Sequence, residues 1–171
     1  FANSTLQQTQ IFNNTPNGSG SGIWSGGGIS ADTNGNIIAM TGNGDFNLNT
    51  GGTESGDSFI KLNPQLQVTD YFTPFNQSCM NTRDTDLGSG GPLILDSLGE
   101  SFGGGKEGRI YVVNNSAMGH YTVDSNLNCT QGTTEQNNTT TDNVVQELPP
   151  STVGGIYSTP AYWNGPNGQY V

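Results

Sequence analysis

Basic side chains are scarce in this chain of 171 residues: four Lys or Arg stand against 14 Asp or Glu, for a formal net charge of −10. Nucleic acid is held through clustered cationic side chains, so it is excluded as a partner. The sequence has no apolar run of the ~20 residues that a membrane-spanning helix needs, and no membrane span is expected. It opens on Phe1 with neither Met nor a signal-like segment, as expected of a chain already processed if it is secreted. Cysteine is limited to Cys79 and Cys129. These form one disulfide in an oxidising compartment or stand as two unrelated buried thiols. The single His120 has no second His for a metal and no companion Ser or Cys motif, so beside Tyr121 it reads as packing or hydrogen bonding.

Leu, Ile, Val and Phe are also sparse, near the level at which chains fail to bury enough apolar surface to fold. They are nonetheless gathered into strand-length runs, separated by turns rich in Gly (26 residues), Asn, Ser and Thr. One two-part pattern recurs. SGGGISAD at 25–32 precedes NGNIIAM at 34–40, SGGPLILD at 89–96 precedes KEGRIYVVN at 106–114, and STPAYWN at 158–164 precedes NGQYV at 167–171. In each, an apolar run ends at a polar stop (Asp32, Asp96, Asn164) and an x-Gly-x turn opens the next run. The stops lie 64 and 68 positions apart. A period of that size with several short strands per repeat points to a β-propeller. Asn34-Gly35 and Asn167-Gly168 match the type I′ hairpin signal.

The expected fold is therefore all-β, built from antiparallel four-stranded blades, with about two complete blades and partial blades at both ends. Residues 1–16 hold a strand around Leu6–Phe12, the last of a preceding blade. A full blade spans 22–75, with DSFIKLN at 57–63 and QVTDYFTPF at 67–75 as its later strands. A second spans 89–149 through LILD, GRIYVVN, MGHYTVD and VVQELP, interrupted by a polar insertion at 126–142. A further blade begins at 154–171. So few blades do not close a ring, so edge strands are expected at both ends, favouring self-association.

The runs GIWSGGGISADTNGNIIAMTGNGDF, GDSFIKLNPQLQVTDYFTPFNQ and DLGSGGPLILD with GGGKEGRIYVVNNSAMGHY resemble the pyrroloquinoline-quinone-like repeat, or quinoprotein alcohol dehydrogenase-like, propellers. The resemblance covers nearly the whole chain and implies four-stranded antiparallel blades in a secreted or cell-surface protein. Quinone-using members resemble one another in a vicinal cysteine pair, acidic and amide calcium ligands, and a late Trp in each repeat. Here the cysteines are far apart, and Ala39, Met40, Val112 and Val113 follow the repeat Gly. No cofactor is therefore assigned, and quinone and calcium both stay open.

Asn-x-Ser/Thr acceptors for N-linked glycans occur at Asn3, Asn13, Asn17, Asn76, Asn114, Asn128, Asn137 and Asn138. A chain so rich in Asn, Ser and Thr generates some by chance, but most fall in stretches read as loops, which favours an extracellular glycoprotein and a Cys79–Cys129 disulfide. Other candidates read as structure. Asp32 to Asn36 lacks the Gly and Glu positions of an EF-hand calcium loop, Asp84 and Asp86 suit a solvated or capping loop, and Lys106-Glu107 suits a hairpin ion pair. Gly103 to Lys106 lacks the Ser/Thr and the helix of a phosphate loop. Trp24, Tyr71, Phe72, Phe75, Tyr157, Tyr162 and Trp163 suit core packing better than a carbohydrate platform. The function expected is a non-catalytic module of structure or assembly, a filament subunit in which residues near Leu6–Phe12 of one copy complete the blade begun at Tyr157–Val171 of the next, against a piece of a quinoprotein-like oxidoreductase or a carbohydrate-binding module.

Overall fold

The computed structural model describes residues 7–24, 26–129, 140–150 and 152–171. Among them eleven strands stand against one seven-residue α-helix, so the fold is all-β. The first sheet contains β1 (Ser30–Ala31), β2 (Ile37–Met40), β3 (Phe59–Leu62) and β4 (Val68–Thr73), each antiparallel to the next, with β8 (His120–Tyr121) added parallel to β4. The second contains β5 (Leu93–Leu95), β6 (Glu100–Gly104), β7 (Ile110–Asn114) and β9 (Gln146–Leu148), antiparallel throughout. Among the described residues the strands β10 (Trp163–Gly165) and β11 (Gly168–Tyr170) pair only with each other.

Alternation along the strands decides which side chains meet. Ile38 and Met40 of β2 share a face with Phe59 of β3 and Phe72 of β4, through the pairs Ile38↔Lys61, Met40↔Phe59 and Phe59↔Phe72. Across from them β7 presents Tyr111 and Val113, and all six belong to one buried cluster with Met80, Leu87 and Met118. The Tyr111 ring lies 5.1 Å from that of Phe72 and 6.3 Å from that of Phe59, edge-on in both cases. Gly103 is required on the second sheet, because a Cβ there would lie 2.6 Å from Met40 Sδ and 3.0 Å from Phe59 Cζ. The far face of the first sheet is covered by the loop 42–56, whose Phe46 ring packs 6.3 Å from Tyr71.

The structure redraws several expected details. The second hairpin joins β5 to β6, with Leu95 opposite Glu100 and Gly99 (φ +68°) in the turn, so LILD does not pair with GRIYVVN. The glycines of ESFGG hide a strand that β-propensity does not reveal. MGHYTVD leaves the second sheet and lends β8 to the first. The Asp32–Asn36 turn is a three-residue loop with only Gly35 at positive φ (+80°), closed by Gly35 N donating to Asp32 O, and so is not type I′. In the third hairpin Gly165 faces Gly168, leaving Pro166 and Asn167 as the central residues. Residues 7–12, expected to be a strand, pair with none of the described strands, and Leu6 lies outside the described residues.

A helix, α1 (Gln77–Arg83), replaces the expected loop at 76–82. It ends at Asp84, whose left-handed backbone (φ +57°) lets its N–H close on Met80 O. Its buried Cys79 and Met80 anchor it, and Cys79 is bonded to Cys129. The expected disulfide is thus present. Most of the polar insertion, residues 130–139, lies outside the described residues.

Candidate functional site

Four places gather polar or apolar side chains beyond what the core needs. The first lies where the chain turns from α1 into the second sheet. Lys106 Nζ sits 2.6 Å from Asp86 Oδ2 and 3.1 Å from Asp84 Oδ1, while Asn43 N donates to Asp86 Oδ1 at 2.8 Å. Buried Asp57 accepts from Leu87 N at 3.1 Å. Desolvation, reinforced by the charge of Asp86, pushes the Asp57 carboxyl up to about 7. Its neighbours behave oppositely: the hydrogen bond and charge of Lys106 lower Asp84, and Asp86 raises Lys106. Lys106 also lies 5.1 Å from the centroid of the Trp24 ring. Asp84 and Asp86 therefore close a loop junction onto a lysine. The expected Lys106–Glu107 pair is replaced, since Glu107 bonds Arg109.

That second cluster centres on buried Arg109. Its Nε donates to Glu107 Oε2 at 2.9 Å, its Nη1 pairs with Glu147, and its guanidinium lies 5.7 Å from the Phe75 ring. Burial disfavours the Arg109 charge, but Tyr111, Glu107 and Glu147 outweigh it and hold its pKa above the ordinary value. Asp142 accepts from Phe75 N at 2.9 Å, and desolvation together with Glu147 raises its carboxyl to about 7. Asn76 is wholly buried here, with Nδ2 donating to Glu107 Oε1 at 3.1 Å. That nitrogen is the atom a glycan would occupy, so in this fold the acceptor at Asn76 is sequestered. Sequence position in a loop-like stretch gave no sign of it.

The third place is an open cleft of about 420 Å³ lined by Asp70, Ser116, His120 and Asn143. His120 stacks on Tyr71 at 4.7 Å, and its Nε2 lies 3.0 Å from Asp70 Oδ1. It adopts a left-handed backbone (φ +60°) unusual for a side chain with a Cβ. Asp70 also accepts from Tyr71 N and Met118 N, so it ties β8 to β4. His120 is thus a hydrogen-bonding residue at a strand start. Among the described residues, no three of His, Cys, Asp and Glu are grouped to hold a metal ion.

The fourth place is apolar. The second sheet turns Tyr111 and Val113 inward and Phe102, Ile110, Val112 and Leu148 outward, where residues 153–160 cross over part of them. Between sheet and crossing segment lies a groove of about 400 Å³ with no charged residue in its wall. Ile156 closes one side, its Cδ1 2.9 Å from the site of a Cβ on Gly104, and Val171 at the end of β11 flanks another.

Of the aromatic candidates, Phe72 and Phe75 are core, while Tyr71 and Tyr162 are half-buried. Trp24, Tyr157 and Trp163 are 52%, 62% and 61% exposed, against the expectation of packing. Asn13, Asn17, Asn114 and Asn128 are exposed. Asn3, Asn137 and Asn138 lie outside the described residues. No described helix is long and apolar enough to cross a membrane. The fold and these sites define an all-β protein in which two sheets, antiparallel except for the β4–β8 pair, pack on a shared core. Comparison with protein-family models, curated proteins and solved structures returned no match.

Proposed function

We propose that this chain is a non-catalytic, extracellular, N-glycosylated β-propeller module that serves in structure or assembly by pairing further strands along its free sheet edges. The observation that carries this reading is the hairpin β10–β11. It pairs with neither larger sheet, and it exposes Trp163 and Tyr170 stacked on each other at 5.3 Å. A two-stranded hairpin has little stability alone, and its free edges offer backbone donors and acceptors to an incoming strand. The repeated hairpin pattern and the quinoprotein-like runs favour blades as the units, although the residues that would hold a quinone lack the family's vicinal cysteines. The Cys79–Cys129 disulfide and the exposed acceptors at Asn13, Asn17, Asn114 and Asn128 favour an oxidising, extracellular setting.

The full chain secreted from a glycosylating host should lose mass on enzymatic removal of N-glycans, with peptide mapping placing them at exposed acceptors and leaving Asn76 bare. Light scattering behind size exclusion should show a mass rising with concentration. A strictly monomeric, unglycosylated chain is the result that defeats the reading.

A further inference from the structure

The junction between α1 and the second sheet sets an amine against a buried carboxyl. Lys106 Nζ lies 2.6 Å from Asp86 Oδ2, yet that oxygen is buried and accepts no hydrogen bond of ordinary geometry. The amine spends its hydrogen bonds elsewhere: Nζ donates to Asp84 O at 3.0 Å and to Asp84 Oδ1 at 3.1 Å. With two of the ammonium's three hydrogens held by Asp84, loss of the third leaves a lone pair facing Asp86. The Asp86 carboxyl is itself fixed. Its Oδ1 accepts from Asn43 N at 2.8 Å, and a Cβ on Gly42 would collide with that oxygen, so only glycine there admits it.

A third carboxyl completes the group. Asp57 is wholly buried; its Oδ1 accepts from Leu87 N at 3.1 Å, one residue from Asp86, and its own N donates to Gly42 O at 2.9 Å. Its Oδ2 has no hydrogen-bond partner among the described residues. The Gln77 amide lies near enough to favour the ionised form of Asp57 but gives its hydrogen bond to Gly44 O at 3.0 Å. Desolvation keeps a proton on Asp57 up to a pH of about 7, so a buried acid stands beside an amine and the carboxyl it approaches.

We propose that Lys106 and Asp86 join as an intramolecular amide, with Asp57 as the acid that carries a proton between them. Nζ attacks Asp86 Cγ; the Nζ–Cγ bond forms and the Cγ–Oδ2 bond breaks. Two of the ammonium's three protons end on Oδ2, one passed directly and one relayed through Asp57. The ammonium and the carboxylate thus give an amide N–H and one water, with no oxidant or further reactant. Asn43 N–H supports the charge that builds on Oδ1, and the fixed approach supplies the effective concentration that a free amine and acid lack in water. Lys106 rests as an ammonium, held so by Asp86, and the reaction removes this ion pair, whose desolvation is costly. The amide is independent of the assembly reading, because the ring it closes, residues 86–106, encloses the hairpin β5–β6 within one copy.

The test is peptide mass mapping of the folded full chain. Trypsin cuts after Arg83, Lys106 and Arg109, and the stretch between holds no acceptor asparagine, so glycans do not interfere. The joined chain should give the peptide 84–109, uncut at Lys106 and lighter by one water, and a cut after Glu100 should leave the two sides of the ring attached. Lys106→Arg, which keeps the ion pair but cannot form this amide, should show the full mass. Asp57→Asn, with circular dichroism matching the parent's, should lower the joined fraction at least ~10-fold. A folded parent that is cut at Lys106 and shows the full mass overturns the proposal. So does a loss of water whose pieces part after Glu100, which marks an imide, or a link that maps to Asp84. If Asp57→Asn joins as fully as the parent, the role given to Asp57 is refuted.

Discussion

Backbone geometry at single residues carries much of this fold. Gly103 is a position where the two sheets approach closely, with Met40 and Phe59 facing the place a Cβ would take. Gly103→Ala should destabilise the protein by about 1–3 kcal/mol through overpacking, read as a lower urea midpoint with an unchanged slope. An unchanged midpoint would show that the sheets separate at no cost. Leu66 presents the opposite case. It closes the β3–β4 turn at φ +57°, with its N–H donating to Asn63 O and Asn63 Oδ1 taking the N–H groups of Gln65 and Gln67. A left-handed conformation costs a residue with a Cβ about 1–2 kcal/mol, and glycine gives back up to ~1 kcal/mol through the unfolded chain. Leu66→Gly should therefore raise stability by about 0.5–1 kcal/mol, and a lower melting temperature would contradict it.

At the scale of elements, α1 and the disulfide tie together parts of the chain that the sheets leave apart. Cys79 sits on the buried side of α1, and its bond to Cys129 spans a sequence separation of 50 residues. Closing a loop of that length restricts the unfolded chain by about 3–4 kcal/mol. Cys79→Ser with Cys129→Ser should lower stability by that order, and equal denaturation curves for the parent and the double variant would refute it. Two cysteines and a set of sequons were enough to read this bond from sequence. The helix itself was not legible, because QSCMNTR has no helical apolar stripe; it forms where Cys79 and Met80 find the core and Asp84 ends the turn. The strand β6 was hidden for a related reason: Gly103 answers to Met40 and Phe59 on another sheet and Gly104 to Arg109 and Ile156, which no local pattern displays.

On the scale of the whole molecule, two buried carboxyls set the response to pH. Asp57 and Asp142 are each raised to about 7 in the folded state, from 3.8 when unfolded. Over that window the folded state keeps protons that the unfolded state has released, so stability falls as pH rises from about 4 to about 7 and levels off above. Below about 4 the lowered carboxyls Asp32 and Asp84 act in the other sense. The unfolding free energy from urea titration should therefore be larger at pH 5 than at pH 8, by on the order of 1–3 kcal/mol for each buried carboxyl, with the midpoint moving in the same direction. Asp57→Asn with Asp142→Asn should flatten the profile. A midpoint that is equal or higher at pH 8 in the parent would show that neither carboxyl holds its proton.

The sequence by itself determined the β class, the strands β2, β3, β4 and β7, the turn glycines at 35, 108 and 168, and the pairing of the cysteines. These are local properties: alternating or β-branched runs, x-Gly-x turns and a count of two. It also placed the candidate acceptor asparagines, but could not tell exposed Asn13 from buried Asn76, since exposure depends on Glu107, 31 positions away. Only the tertiary structure decided that β8 crosses to the first sheet, that Lys106 answers to Asp84 and Asp86, and that Trp24, Tyr157 and Trp163 stay on the surface. Each depends on which face of a sheet another segment covers, and that is settled by packing between distant parts of the chain.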